Sequence, residues 1–286
     1  MRLLHPRRAG HLAAGIPFSR RSFLERTAAC LAVPALLRPA AQPMDTSPAG
    51  PRHPVREPQP ARPLGILCVG AHPDDPESGC GGTLARYSAL GHRVTIVYLT
   101  RGERGIAGKS LEEAAAIRTA EAEAACNILG AKPIFAGQID GATEASPSRA
   151  ESLMKLIAGE APDLVFTHWP IDTHFDHQIA GLLAIRAQLA LQRFRLYFFE
   201  VNTGHQTLGF APTDYVDITS VREKKKRALL AHVSQDGGRI YREHLEITES
   251  FRGRAIRAAA AEAFAGFAPL GRAGSLPGLS EPGESR

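Results

Sequence analysis

Eight consecutive residues, Ala71-His72-Pro73-Asp74-Asp75-Pro76-Glu77-Ser78, hold one imidazole and three carboxylates. Carboxylates this close repel one another unless a cation sits among them. A second cluster runs from Thr167 to His177 and contains His168, His174 and His177 with Asp172 and Asp176, in a chain that has only 11 histidines. A helix starting near Asp176 puts His174 and His177 about one turn apart, so that both rings can converge on one point. His72, Asp75 and His177 together offer two neutral imidazoles and one carboxylate, a zinc set that leaves a position open for water. The set lacks thiolates, which argues against a closed structural site. A plainer reading stands beside this one. Pro73 and Pro76 can set the bends of an ordinary polar turn in which Asp74 or Asp75 caps a helix, and a single buried histidine is commonly a hydrogen-bonded core residue.

Both clusters follow apolar runs. Leu64 to Val69 has the length and side chains of a buried strand, the stretch from Ser78 to Leu90 reads as helix, and Leu164 to Phe166 is a second short strand. Along the chain, strands near 64–69, 94–99, 132–135, 163–167 and 195–200 alternate with helices near 78–90, 110–129, 148–159 and 176–190. The alternation predicts an α/β fold with a single doubly wound, mostly parallel, Rossmann-like sheet. In the usual 3-2-1-4-5 order, the strands ending at Val69 and Thr167 are neighbours at the switch point, which brings the two clusters together. Helices near 219–232 and 241–252 would flank the sheet and form one wall of the cleft.

Other segments are less specific. Arg101 and Glu103 follow the strand Val94 to Leu99 and should stand at the same rim, where they could hold substrate hydroxyls or form a solvated loop. Gly79-Cys80-Gly81-Gly82 lacks the spacing of a dinucleotide-binding loop and follows an acidic turn, so glycine there serves close helix-to-strand packing. The basic run Arg222 to Arg227 reads as the solvated face of a helix whose apolar side uses Val221, Ala228 and Leu229.

Three segments together carry a family resemblance: AHPDDPES, LTRGERG (Leu99 to Gly105) and HFDH (His174 to His177). They resemble the metal-dependent N-acetylglucosaminyl deacetylases related to the phosphatidylinositol-glycan de-N-acetylase, the PIG-L or LmbE-like family. AHVSQ (Ala231 to Gln235) and ESFRG (Glu249 to Gly253) resemble it too, so the likeness covers roughly residues 62–266. The resemblance implies that His72, Asp75 and His177 hold the metal, Zn2+ or another divalent ion such as Fe2+. It further implies Asp74 as general base and His174 as the group that assists the oxyanion or leaving group. Asp176 is expected to orient His174 or a ligand histidine, or else to cap the helix. The substrate implied is an N-acetylglucosamine-type sugar or glycoconjugate. Another N-acyl conjugate, or metal or sugar binding without catalysis, are the alternatives. A nucleotide-binding Rossmann enzyme is disfavoured by the acidic first turn.

Ser19-Arg20-Arg21-Ser22-Phe23-Leu24 resembles a twin-arginine export signal, followed by an apolar stretch too short for a permanent membrane span. The expected organisation is a signal peptide over 1–41, a proline-rich linker over 42–62, one deacetylase-like domain over 63–266 and a disordered tail over 267–286. The implied location is periplasmic or extracellular. The whole chain has a formal charge of +5, but the first 41 residues hold seven Arg and one Glu, leaving 27 basic and 28 acidic residues behind them. That near-neutral remainder gives no reason to expect a nucleic-acid partner, and the implied partner is a small molecule or glycan. Four cysteines, one of them in the leader, imply no disulfide framework.

Overall fold

Alternating side chains in the central strands decide how the layers form, because each strand must bury both of its faces. In this computed structural model, residues 62–268 and 276–277 are described. The twin-arginine segment, the proposed signal and nearly all of the linker lie outside them. The elements are β1 (Gly65–Gly70), α1 (Asp75–Ala89), β2 (Arg93–Tyr98), α2 (Leu111–Leu129), β3 (Lys132–Phe135), α3 (Pro147–Glu160), β4 (Leu164–His168), α4 (Phe175–Leu191) and β5 (Arg195–Phe199). Then follow β6 (Asp214–Asp217), α5 (Arg222–Leu230), α6 (Gly237–Ile240), a π-helical turn (Tyr241–Leu245), α7 (Glu246–Ile256) and β7 (Ala261–Phe267).

The seven-stranded sheet has the order β3-β2-β1-β4-β5-β7-β6. Its first five strands are parallel, and β1 and β4 are direct neighbours, with Val69 opposite Thr167. The expected 3-2-1-4-5 core is therefore present. Ile66, Cys68, Ile96, Tyr98 and Phe166 face α1 and α2, whereas Leu67, Val69, Val97 and Val165 face α3 and α4. Two buried cores result, one on each side of the sheet.

The C-terminal third differs from expectation. Besides its helices it adds β7, antiparallel to β5, and β6, antiparallel to β7. The tail expected from residue 267 is also not wholly separate from the core, since β7 includes Phe267, Leu276 is buried, and the Tyr87 hydroxyl donates to the Pro277 carbonyl at 2.9 Å. The basic run is not simply a solvated face. Lys225 is 1% exposed, with its Nζ 3.0 Å from Glu249 and 2.7 Å from Glu262. No helix among the described residues is long and apolar enough to cross a membrane.

Helix α1 begins earlier than Ser78. Asp74 is its N-cap, and Pro76 sits in the first turn, where a missing N–H costs nothing. The helix is broken at Cys80 (φ −146), and the second half presents the Gly82 and Thr83 amides to the Glu262 carboxylate at 2.8 and 2.7 Å. Glu262 thus occupies the place an anion would take at a helix start. A Cβ on Gly79 would lie 2.1 Å from the Phe199 ring, and one on Gly82 would lie 2.7 Å from Ile218. Gly79→Ala is expected to lose about 1–3 kcal/mol of stability, because the buried Phe199 ring cannot swing away. Denaturant unfolding would measure it, and an unchanged midpoint would contradict the close packing.

Candidate metal centre and its cavity

The chain leaves β1 through Ala71, whose carbonyl accepts from the Thr100 amide and hydroxyl, both at 3.0 Å. This fixes where His72 begins. His72 Nδ1 lies 3.1 Å from Asp75 Oδ2, and His177 Nε2 lies 3.3 Å from Asp75 Oδ1. Asp75 therefore stands between the two rings. Ring nitrogens of His72, His174 and His177 form one group within 4.8 Å, and those of His168 and His177 form another with Asp75. The three residues expected to hold metal are brought together. They come from the starts of α1 and α4, set side by side by β1 and β4.

The surrounding groups orient these rings. Asp176 accepts from the Gly141 amide at 2.7 Å and the Thr143 hydroxyl at 2.6 Å, and its Oδ2 lies 3.0 Å from His72 Nε2. Of the two histidine partners expected for Asp176, the structure places it against His72, the one expected as a ligand. The α4 cap is His174 instead, whose Nδ1 accepts from the Asp176 amide at 3.3 Å. Asp172 lies 3.2 Å from His177 Nδ1 and also receives the His174 amide and the Thr207 hydroxyl. His168 is not free to bind a cation with both nitrogens, because its Nε2 accepts from the Ala71 amide at 3.1 Å. Burial, together with the charge of His177, pushes it down to about 4.

Five buried or half-buried carboxylates, of Asp74, Asp75, Asp140, Asp172 and Asp176, converge here. Among the described residues, Arg118 is the permanently charged side chain at ion-pair distance from this group, at Asp74. Burial opposes charge on His72 and His177, yet the neighbouring aspartates outweigh it, raising His72 well above its usual range and His177 to about 9. In this arrangement the carboxylates draw His72 and His177 toward the protonated form. A divalent cation would replace those protons, so the donor set fits one.

Asp74 has φ 110 and ψ −28, a conformation that costs about 1–3 kcal/mol and clusters at functional sites. Its carboxylate is 3.4 Å from Arg118 Nη2, which also donates to the Pro73 carbonyl at 2.5 Å. Burial pushes the Asp74 carboxyl up to about 6, with Arg118 opposing and the Asp75 charge adding. His174 is half-buried, and burial with the charges of His72 and His177 lowers its pKa, favouring the neutral ring. His72, Asp74, Asp75, His174 and His177 line a cavity of about 460 Å³ together with Arg104, Arg118, Asp140, Asn202, Gln235, Arg239 and His244.

Arg101 and Glu103 do not line this cavity. Glu103 is 4% exposed and receives the amides of Arg101 and Asp140, so it ties the β2–α2 loop to the loop carrying Asp140. The Arg101 side chain is about half exposed. The sequence reading missed Arg118, Asp140 and Thr143. Arg118 had a signal, since it interrupts the otherwise small-residue stripe Ala114, Ala115, Ala122 and Ala125 on the buried face of α2. Its guanidinium needs space, and a Cβ on Gly102 or Gly105 would lie 2.4 or 2.2 Å from it. The glycines of LTRGERG make that room. In AHVSQ, Ser234 is bonded to Glu121 through its amide and hydroxyl, both at 2.7 Å, and Gln235 donates to the Gly105 carbonyl. In ESFRG, Glu249 meets Lys225 and Arg222, and Arg252 makes two 2.7 Å bonds to Glu200.

Comparison with known proteins gives the family. The family model described as PIG-L, GlcNAc-PI de-N-acetylase, matches residues 67–188. The diacetylchitobiose deacetylase of Thermococcus kodakarensis is 34% identical over 186 residues, covering 59% of this chain and 69% of the relative. The 4-oxalmesaconate hydratase of Pseudomonas putida is 30% identical over 190 residues, covering 59% of this chain and 73% of that one. Among solved structures, the N,N'-diacetylchitobiose deacetylase of Pyrococcus horikoshii superposes with a TM-score of 0.62 at 28% identity, covering 71% of this chain and 83% of the other. With the sheet order, the paired clusters and these relatives in agreement, the chain belongs to the PIG-L family of GlcNAc-PI de-N-acetylase-like proteins.

Proposed function

We propose that the protein is a metal-dependent N-deacetylase acting on an N-acetylglucosamine-type sugar or glycoconjugate. The observation that carries this reading is the placement of Asp74. It opens on the cavity beside His72, Asp75 and His177, yet it pairs with Arg118 and not with the histidine rings. A divalent cation held by His72, Asp75 and His177, with zinc the first choice and Fe2+ the second, would polarise the amide carbonyl and make water a stronger nucleophile. Asp74 takes the proton from the attacking water. It then returns that proton to the nitrogen as the C–N bond breaks, releasing acetate and a free amine. His174 accepts at Nδ1, so its neutral ring carries the proton on Nε2, where it can donate to the carbonyl oxygen as negative charge develops. Asp176 and Asp172 hold the rings of His72 and His177 in orientation. Arg118 keeps the Asp74 carboxylate in place.

The Pseudomonas relative supports a second reading, hydration of an unsaturated acid, since activation of water serves both reactions. The cavity of about 460 Å³ is in the usual range for small-ligand sites. Acetate release from N-acetylglucosamine and diacetylchitobiose, followed beside loss of absorbance from an unsaturated dicarboxylate, separates the two. The expected result is acetate from the sugars and much less from N-acetyl amino acids, because a site that hydrogen-bonds hydroxyls rejects analogues that leave its polar groups unpaired. Preference for the amino-acid amides would remove the sugar, and turnover of the dicarboxylate alone would remove deacetylation.

A further inference from the structure

We infer that His232, acting through Glu77, is a positioning residue for Asp74, an inference that rests on the proposed role of Asp74 as base. Asp74 holds a backbone conformation that residues with side chains rarely adopt, so its neighbours must keep it there. Its amide donates to Glu77 Oε2 at 3.2 Å, and its carbonyl accepts from Ser78 at 2.9 Å. Glu77 is fully buried. The other carboxylate oxygen accepts from the Tyr98 hydroxyl at 2.5 Å and lies 3.4 Å from His232 Nε2. A buried carboxylate needs a compensating positive charge, and removing that charge leaves it unsatisfied. Among the described residues His232 is the basic side chain at ion-pair distance from Glu77.

His232 itself is fully buried and does not line the cavity, so it does not touch a substrate there. It sits just past α5, held by its own amide on the Leu229 carbonyl and by the Gln235 and Gly237 amides on its carbonyl. Burial opposes a charge on this ring, but the neighbouring Glu77 outweighs it. The C-terminal wall of the cavity is thereby coupled to the start of α1. His232 fixes Glu77, and Glu77 fixes the Asp74 amide.

The test uses the metal-loaded protein with diacetylchitobiose as probe. His232→Gln is made alone and together with Asp74→Asn. The single variant is expected to bind the wild-type amount of metal, keep its KM, and lose about 10- to 100-fold in kcat, the usual scale for outer partners of a site. In the Asp74→Asn background the same change is expected to cost almost nothing more, because both act through one group. Hydrogen exchange of the amides over 72–78 is expected to quicken in His232→Gln, a readout that needs no turnover. A raised KM with unchanged kcat, losses that multiply in the double variant, or unaltered exchange over 72–78 would each overturn the inference. If His232→Gln does not fold, Glu77→Gln removes the buried charge that His232 answers. The expected result is then a similar kcat loss and recovery of folding in the double variant with His232→Gln, and failure of either overturns the inference. Absence of acetate release from the wild type would instead remove the proposed function, while the exchange measurement still decides the positioning.

Discussion

Asp74→Asn is expected to keep the bound metal and lose about 10²–10⁴-fold in turnover, the contribution typical of a general base. The side chain contacts Arg118, and the histidine rings make their short contacts to Asp75, Asp140, Asp172 and Asp176. Asparagine keeps the shape and the pairing distance but cannot accept the proton. His72→Ala and His177→Ala are expected to behave differently. Each removes a donor atom and leaves the Asp75 carboxylate with one ring contact the fewer, so metal content should fall along with activity. Elemental analysis and kinetics on the same preparations separate the two behaviours. An Asp74→Asn protein with near wild-type kcat would end the assignment of Asp74 as base.

Lys225→Met is expected to lose about 3–5 kcal/mol of stability, the scale for removing one partner of a buried ion pair. Two carboxylates depend on this ammonium, Glu249 at 3.0 Å and Glu262 at 2.7 Å. Burial works against its charge, but the pair outweighs burial and keeps it protonated. Glu262 in turn receives the two amides that begin the second half of α1, so the loss reaches the helix that starts at the metal cluster. Against a typical total of about 5–15 kcal/mol, the variant would be marginal. Denaturant unfolding beside a Lys225→Met, Glu262→Gln double variant is the check. The double variant should recover part of the loss, and a single-variant cost under about 1 kcal/mol would show the cluster to be solvent-screened.

Strands β1, β2, β4 and β5 are legible because each is a short, mostly apolar and buried run, the pattern of parallel strands covered on both faces, whereas the edge strand β3, Lys-Pro-Ile-Phe, follows from the alternation of strands and helices. β6 was hidden by its composition, Asp-Tyr-Val-Asp, and β7 by its small residues, Ala-Glu-Ala-Phe-Ala-Gly-Phe, neither of which shows a strong strand pattern. Helix α1 starts three residues before the expected Ser78, because Pro76 is at ease in a first helical turn. Of the site, the residues clustered in sequence were found, including His72, Asp75 and His177. Arg118 stands alone on α2, and Asp140 and Thr143 lie in the loop after β3, so only folding brings them to the histidines. Lys225 was misread for a related reason. Within Arg222 to Arg227 nothing local marks one lysine as the partner of acids that arrive later in the chain.

The strand order has a further consequence for how one scaffold can host different reactions. Among the described residues, every candidate cation ligand lies within residues 67–188, the span that matches the family model, whereas Asn202, Gln235, Arg239 and His244, which also line the cavity, come from the chain beyond it. The candidate cation ligands and a further part of the cavity wall are thus encoded in successive stretches of the gene. Replacement of Asn202, Arg239 and His244 can change what enters the cavity as long as His232, Lys225 and Glu262, which tie the second stretch to α1, are kept. A deacetylase and a hydratase among the relatives are what such a division of labour permits.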